Sequence, residues 1–341
     1  MIKTYFLATT LSVILCSCST PKTKNQKVDK PADDTKWVVD STFNVGHVGR
    51  YGIRPEVNYS QSQVNKLLEI NASGVPLFFP EGIYKMSLVI DGSKNHHLTF
   101  DNTTIAGWFY VIDKEGKKSS NITLKGSLTV LDKVFFRHAD TINIETLRVV
   151  SDKENNLRKV DNPGVSIYAG VNNVSFDSLF IKNTIQSTLD HNKFSAAALQ
   201  VHGWNNNPKN IKIDYLDIKN SGRSGVYLTG HNHEIGRLVI DSFGSTKNTN
   251  MAGLQDATPG TEKIYKALWV NKCNNCIVYE VEILQEPREN TQHLAVGIGD
   301  TSKPSVIGQL SYVSANGELL IKERIPSNVI VKNTILLDSD K

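Results

Sequence analysis

Tight β-hairpins favour Asn-Gly or Asp-Gly at their turns, and the 341-residue chain has almost no such pairs. An antiparallel sandwich is therefore a poor match. Blocks of basic residues are also missing: the net charge is only +4, the lysines and arginines are scattered, and no nucleic-acid-binding motif accompanies them. That combination argues against a nucleic-acid partner. The apolar run Phe6 to Leu15 is too short for a spanning helix. Cysteine is scarce, four in all, and two of the four fall within the first eighteen residues. The remaining pair, Cys273 and Cys276, forms a C-x-x-C without the helix start that a thioredoxin-like site requires. Core packing is the first reading for this pair and a disulfide the second. Redox or metal chemistry comes last, since a zinc site needs two further ligands.

What the chain does contain is a degenerate repeat. Asn173 is followed by apolar Val174, Phe176, Leu179 and Ile181, so steps of two, three and two separate the apolar positions. Asn210 leads Ile211, Ile213, Leu216 and Ile218, and Asn275 leads Cys276, Val278, Val281 and Ile283. Thr141 precedes Ile142, Ile144, Leu147 and Val149; His97 precedes Leu98, Phe100, Thr103 and Ile105; Asn232 precedes His233, Ile235, Leu238 and Ile240. The stretches Ile122 to Val130 and Val329 to Leu337 match if the central step takes one extra residue. A period of two on either side of a fixed break means two short strands meeting at a corner. A third strand precedes each anchor, as in Val165-Ser166-Ile167, Leu199-Gln200-Val201, Val226-Tyr227-Leu228, Leu268-Trp269-Val270 and Val296-Gly297-Ile298. Three strands per turn, restarted in one direction, predict an all-β parallel β-helix of about eight or more coils.

The stretch Gly74-Val75-Pro76-Leu77-Phe78-Phe79-Pro80-Glu81-Gly82-Ile83-Tyr84 resembles the opening phrase G-x-x-x-x-F-P-x-G-x-Y of the pectate-lyase-like right-handed β-helix superfamily. Ser60 to Asn71, with Val64, Leu67, Leu68 and then Gly74, has the period and stop of the short helix that caps such a solenoid. The resemblance covers roughly residues 43 to 341. It implies a polysaccharide partner, often an acidic one. At the other end, Lys3, the apolar run and Leu15-Cys16-Ser17-Cys18 resemble a bacterial lipoprotein signal, which implies residues 1–17 removed and lipid on Cys18. Ser19 to Lys36 is polar and reads, with Cys18, as a flexible tether, residues 18–36, ahead of one domain, 37–341. The expected location is the cell envelope, at the membrane through the lipid anchor.

Strand phase separates inside from outside. Phe135, Ser166, Gln200, Tyr227 and Trp269 fall in one outward column, and Arg137, Tyr168, His202, Thr229 and Asn271 in the next. With coils ~4.8 Å apart these side chains form one surface. Insertions at Ser151 to Pro163, Thr184 to Ser195, Asp241 to Lys266 and Leu284 to Gln292 would wall it. Tyr168, Tyr227, Trp269 and Trp204 suit the flat faces of sugar rings, and Gln200, His202, Asn271, Lys272 and Arg223 suit their hydroxyls.

Hydrolysis needs two carboxyl groups, and neither column contains Asp or Glu. The N-x-D, D-D and G-H-G phrases of the polygalacturonase-like branch are missing from the repeat region, which leaves only Asp190, Asp256 and Asp300 on loops. Elimination from a uronate needs a base and a cation beside the carboxylate. Lyases of the resembled superfamily use Lys or Arg as base, some with calcium held by acidic residues. Arg223 or His202 is expected to take the proton, with Tyr168 and Lys219 as further candidates, and Arg137 or Lys272 to hold the uronate. Asp152 with Glu154, and Asp190, are the carboxylates that would serve calcium. His233 occupies an inward slot and reads as structural. A non-catalytic glycan-binding β-helix is the alternative.

Overall fold

The computed structural model describes residues 34–159, 164–184, 197–203, 205–244, 264–285, 292–299, 301–313, 321–323 and 328–337. Contacts divide the chain into Met1–Pro31 and Ala32–Lys341, and all described residues lie in the second unit.

That unit is a parallel β-helix. Long strands that bend round a corner recur along the chain: Lys94–Ile105, Ser119–Val130, Ala139–Val150, Asn172–Thr184, Lys209–Ser221, Glu234–Ile240, Ile277–Ile283, Ser305–Val313 and Val329–Leu337. Short strands alternate with them, among them Leu88–Asp91, Phe109–Ile112, Val134–Phe136, Val165–Ile167, Ala197–Val201, Ser224–His231, Ile264–Asn274 and Gln292–Ile298. Each strand pairs in parallel with its counterpart one coil away. The two-three-two spacing makes this work. Val174, Phe176, Leu179 and Ile181 lie in register with Ile142, Ile144, Leu147 and Val149 on one side and with Ile211, Ile213, Leu216 and Ile218 on the other. All twelve belong to the single main core, each contributing roughly 1.5–3 kcal/mol of burial.

The anchors turn the corner in the left-handed backbone region, which Asn tolerates better than other side-chain-bearing residues. Asn121, Thr141, Asn173, Asn210, Asn232 and Asn275 have φ between 54° and 58°. Their amides then bridge the coils. Asn210 Nδ2 donates to Asn173 Oδ1 (3.2 Å), Asn232 to Asn210 (3.2 Å) and Asn275 to Asn232 (3.3 Å). Where Thr141 interrupts the series, Asp140 takes over as acceptor for Asn173 at 3.1 Å. A shorter ladder runs at the other end of the long strands, where Asn220 Nδ2 donates to Asn183 Oδ1 at 3.0 Å.

Two copies of the repeat sit differently from the sequence expectation, and a third shows how its expected extra residue is accommodated. The early anchor is Asn95 (φ 62°), not His97, so His96 takes the first inward slot, opposite Ile122. The extra residue expected in Ile122 to Val130 is present, absorbed at Gly126 with φ 75°, where a Cβ would lie 2.0 Å from the Phe100 carbonyl oxygen. The extra residue expected in Val329 to Leu337 is not needed. Val331, Thr334 and Leu336 pair with Ile307, Leu310 and Tyr312 in the regular step, so Thr334 fills an apolar slot.

The helix Gln61–Ala72 begins in a capping box between Ser60 and Gln63 and buries Val64, Leu67, Leu68 and Ile70. Asn71 fastens it to the first coil, donating to the carbonyls of Val75 and His97 and accepting from the His97 N–H. Ahead of residue 37, the Asp34 carboxylate is buried and accepts from Arg50 Nε (2.7 Å) and the Tyr51 hydroxyl (2.8 Å). Cys273 and Cys276 are both core residues and disulfide partners.

Two buried histidines carry a pH signature. His96 Nδ1 donates to Asn71 Oδ1 and its Nε2 accepts from Ser93; His233 Nδ1 accepts from the Ile211 N–H and its Nε2 donates to the Thr229 carbonyl. Burial pushes both down to about 4 from 6.5. The unfolded chain therefore binds protons that the folded one refuses, so stability is complete above pH 6.5 and falls as the pH drops towards 4. Urea midpoints are expected to report a loss of up to about 3 kcal/mol per histidine, with the slope reduced in His233→Gln; a flat profile across that window would contradict the assignment. Gly126→Ala is expected to cost about 3 kcal/mol in the same assay.

Candidate functional site

The outward column exists as a hydrogen-bonded register. Tyr110 pairs with Phe135, Phe135 with Ser166, Ser166 with Gln200, Gln200 with Tyr227, and Tyr227 with Trp269. One step along each strand end, the N–H groups of Arg137, Tyr168 and His202 donate to the carbonyls of Val111, Phe136 and Ile167 in the preceding coils. Those three residues therefore occupy the same ladder position on successive coils. Their rings join those of the first column in an unbroken series: Trp108–Tyr110 5.6 Å between centroids, Tyr110–Phe135 5.7 Å, Phe135–Tyr168 6.0 Å, Tyr168–His202 5.8 Å, His202–Tyr227 5.7 Å and Tyr227–Trp269 4.4 Å. Such separations are typical of favourable aromatic pairs.

The two halves of this series differ in access. Gln200, Tyr227 and Trp269 are only 7%, 9% and 8% exposed. Tyr227 and Trp269 form a small cluster with Ala197, separate from the main core. They point away from the interior yet are covered, so they are not the open sugar platforms expected of them. Lys266 Nζ sits 3.5 Å from the Trp269 ring centroid, and Asn271 Nδ2 donates to the Tyr227 hydroxyl at 3.1 Å. Thr229, expected on the outer face, is buried and donates to the Val201 carbonyl. Lys272 is exposed with φ 51°, where the pairing slips between Leu228 and Gly230. By contrast Trp108, Tyr110, Phe135, Arg137, Tyr168 and His202 are all partly exposed. The accessible stretch lies towards the N-terminal coils.

Within that stretch, burial lowers the pKa of His202, which favours its neutral form. Arg137 Nε donates to Asp113 Oδ1 at 3.1 Å. Arg223 does not join this group. It precedes Val226 by three residues whereas His202 follows Leu199 by three, and Leu199 pairs with Val226. The two are thus separated along the strand direction by about six residues, roughly 20 Å of extended chain. Arg223 and Tyr265 instead influence each other's titration, and burial lowers the arginine while raising the tyrosine. Lys219 lies 3.7 Å from Asp217 on a different strand segment.

Sequence reasoning missed one cluster at the N-terminal end of the ring series. The Asp132 carboxylate is fully buried and takes two bonds from the Arg158 guanidinium and one from the Lys133 N–H. Arg158 lies 5.3 Å from the Trp108 ring centroid and Lys133 Nζ 4.7 Å from that of Phe135. Extending the outward column one coil back from Phe135 would have found Tyr110. Arg158 had no such signal, because its loop folds back across coils: the Leu157 N–H donates to the Ala106 carbonyl.

Asp152 accepts from the backbone and side chain of Asn155 and so closes a turn. Among the described residues, the cluster of three metal-ligating types is His233, Cys273 and Cys276, within 4.8 Å of one another. Its sulfurs are bonded to each other and both imidazole nitrogens are hydrogen-bonded, so it is a core staple. Cys18, Asp190, Trp204, Asp256 and Asp300 lie outside the described residues. The chain matches no protein-family model, no curated protein and no solved structure.

Arg158→Ala strands a buried carboxylate and is expected to cost about 2 kcal/mol in urea unfolding. Adding Asp132→Asn should recover part of that loss; additive losses in the double variant would show that the pair is not coupled.

Proposed function

We propose that the protein is an exported, lipid-anchored lyase that cleaves an acidic polysaccharide by β-elimination, on a scaffold of the pectate-lyase-like right-handed β-helix type. The observation that carries this reading is the succession Arg137, Tyr168, His202 on three adjacent coils, partly exposed and flanked by rings. A buried disulfide suits an oxidising compartment, in keeping with export and with lipid attachment at Cys18.

In this mechanism the Arg137 guanidinium, now shared with Asp113, neutralises the uronate carboxylate. Neutral His202 takes the proton from the carbon beside that carboxylate. The electron pair forms the carbon–carbon double bond as the glycosidic C–O bond breaks, and the Tyr168 hydroxyl protonates the departing oxygen. Hydrolysis is less well supported. Two carboxylates at the margins of the accessible rings, Asp113 and Asp132, are each held by an arginine rather than poised as an acid and base. One feature favours the second reading, glycan binding without turnover: Arg137 already has its counter-ion.

Incubation with a panel of uronate polysaccharides should yield ultraviolet absorbance of an unsaturated product; retention of a glycan without that absorbance would favour the binding protein, and new reducing ends without it would favour hydrolysis. His202→Ala should lower turnover by about 100-fold or more while leaving glycan retention in place. Because the histidine's pKa is lowered and the base must be neutral, kcat/KM should stay level as pH falls to 6.5 and decline only below it. An unchanged rate in His202→Ala would remove this residue from the chemistry.

A further inference from the structure

The missed cluster at the N-terminal end of the ring series has properties that the core does not require. Trp108 and Tyr110, on one coil, stack at 26° between ring planes, and Phe135 on the next coil meets Tyr110 edge-on, giving three partly exposed rings on two adjacent coils. Two cations stand over them, Lys133 above Phe135 and Arg158 above Trp108. The carboxylate beside them is already occupied: Asp132 is fully buried and bound by the Arg158 guanidinium, with the Lys133 backbone N–H on one of the same oxygens. Among the described residues no carboxylate lies within ion-pair distance of Lys133 Nζ. Among the described residues the cluster therefore carries two cations to one carboxylate, beside flat apolar surface.

We infer that Trp108, Tyr110 and Phe135, with Lys133 and Arg158, form a binding subsite for one anionic sugar ring, adjoining the Arg137–Tyr168–His202 group on its N-terminal side. The inference rests on the reading that this face binds a glycan and adds where the glycan's charge is held. An anionic group would meet Lys133 and the exposed edge of Arg158, while the ring's C–H face lies on the aromatic surface. Burial and the neighbouring Arg158 already lower the Lys133 pKa, so its charge is strained as it stands and an incoming anion would relieve it. Tyr110 lies three coils and Phe135 two coils before Gln200 in the paired column, roughly 14 Å and 10 Å from the coil of His202 along the solenoid. The subsite meets the Arg137–Tyr168–His202 group at the Phe135–Tyr168 contact and contributes to binding rather than to bond cleavage.

The test is calorimetric titration of full-length protein carrying His202→Ala, so that ligand survives, with a galacturonate hexasaccharide, its carboxyl-reduced neutral counterpart and a heparin-derived hexasaccharide. Lys133→Gln should weaken binding of an acidic hexasaccharide about tenfold and leave the neutral one unchanged. The two acidic ligands distinguish carboxylate from sulfate as the favoured anion. Binding near the lowered pKa of Lys133, below the ordinary lysine range, should also take up protons, and Lys133→Gln should abolish that uptake. Phe135→Leu provides a second variant that leaves both charges in place and should weaken all ligands that bind there.

Equal affinity of Lys133→Gln for the acidic ligands, or equal loss for neutral and acidic ones, would overturn the subsite. If the His202 enzyme cleaves uronates and Lys133→Gln leaves KM unchanged, the subsite falls while the elimination reading stands. If nothing is cleaved but acidic-glycan affinity depends on Lys133, the subsite stands and elimination falls. If none of the hexasaccharides binds, the subsite falls.

Discussion

The corner asparagines hold the rest of this structure in place. A chain that must turn at the same point in every coil needs a residue that accepts the left-handed backbone, and an amide side chain placed there can bond its counterpart in the next coil. Asn173, Asn210, Asn232 and Asn275 do both. Because each amide donates towards the preceding coil, the ladder sets which residue of one coil lies over which residue of the next. Once that register is set, the alternation of strands decides every inward and outward position. The core columns and the ring series are two readings of one register.

This dependence explains why the site is arranged as it is. Arg137, Tyr168 and His202 are far apart in sequence and share nothing local; stacking alone makes them neighbours. Stacking also permits variation between coils. Gly126 absorbs one residue in a long strand, and Lys272 marks a slip in the pairing beside Asn271. The core accommodates these irregularities because Phe100, Leu124 and the Cys273–Cys276 pair remain inside. The covered half of the face follows from side chains reaching sideways: Lys266 lies on Trp269 and Asn271 reaches Tyr227.

Much of this was legible in the chain. The column Phe135, Ser166, Gln200, Tyr227, Trp269 could be written down from period-two phase because backbone pairing obeys that phase. His97 misled because Leu98 and Phe100 satisfy an apolar pattern, and pattern alone treats a buried neutral histidine at 96 as polar. Arg223 lies on the coil next to His202 but at the opposite end of the paired strands, a distinction that strand phase does not carry. Arg158 was beyond reach, since the path of its loop depends on tertiary contacts such as the Leu157–Ala106 hydrogen bond. Exposure was likewise illegible at Tyr227 and Trp269: phase states which way a side chain leaves the strand, not what folds over it.

The ring series has a further consequence, one of commensurability. Its members are carried on coils whose spacing is set by strand pairing at ~4.8 Å and cannot adjust independently. A polymer lying along the solenoid, as proposed, would meet this fixed ruler from Tyr110 to His202. A chain whose repeat matches the ruler engages every rung at once, whereas one whose repeat departs from it drifts out of phase and gains nothing from added length. On the proposed reading, the fold would sort polymers by pitch as well as by chemistry, and the sorting would sharpen with each unit bound.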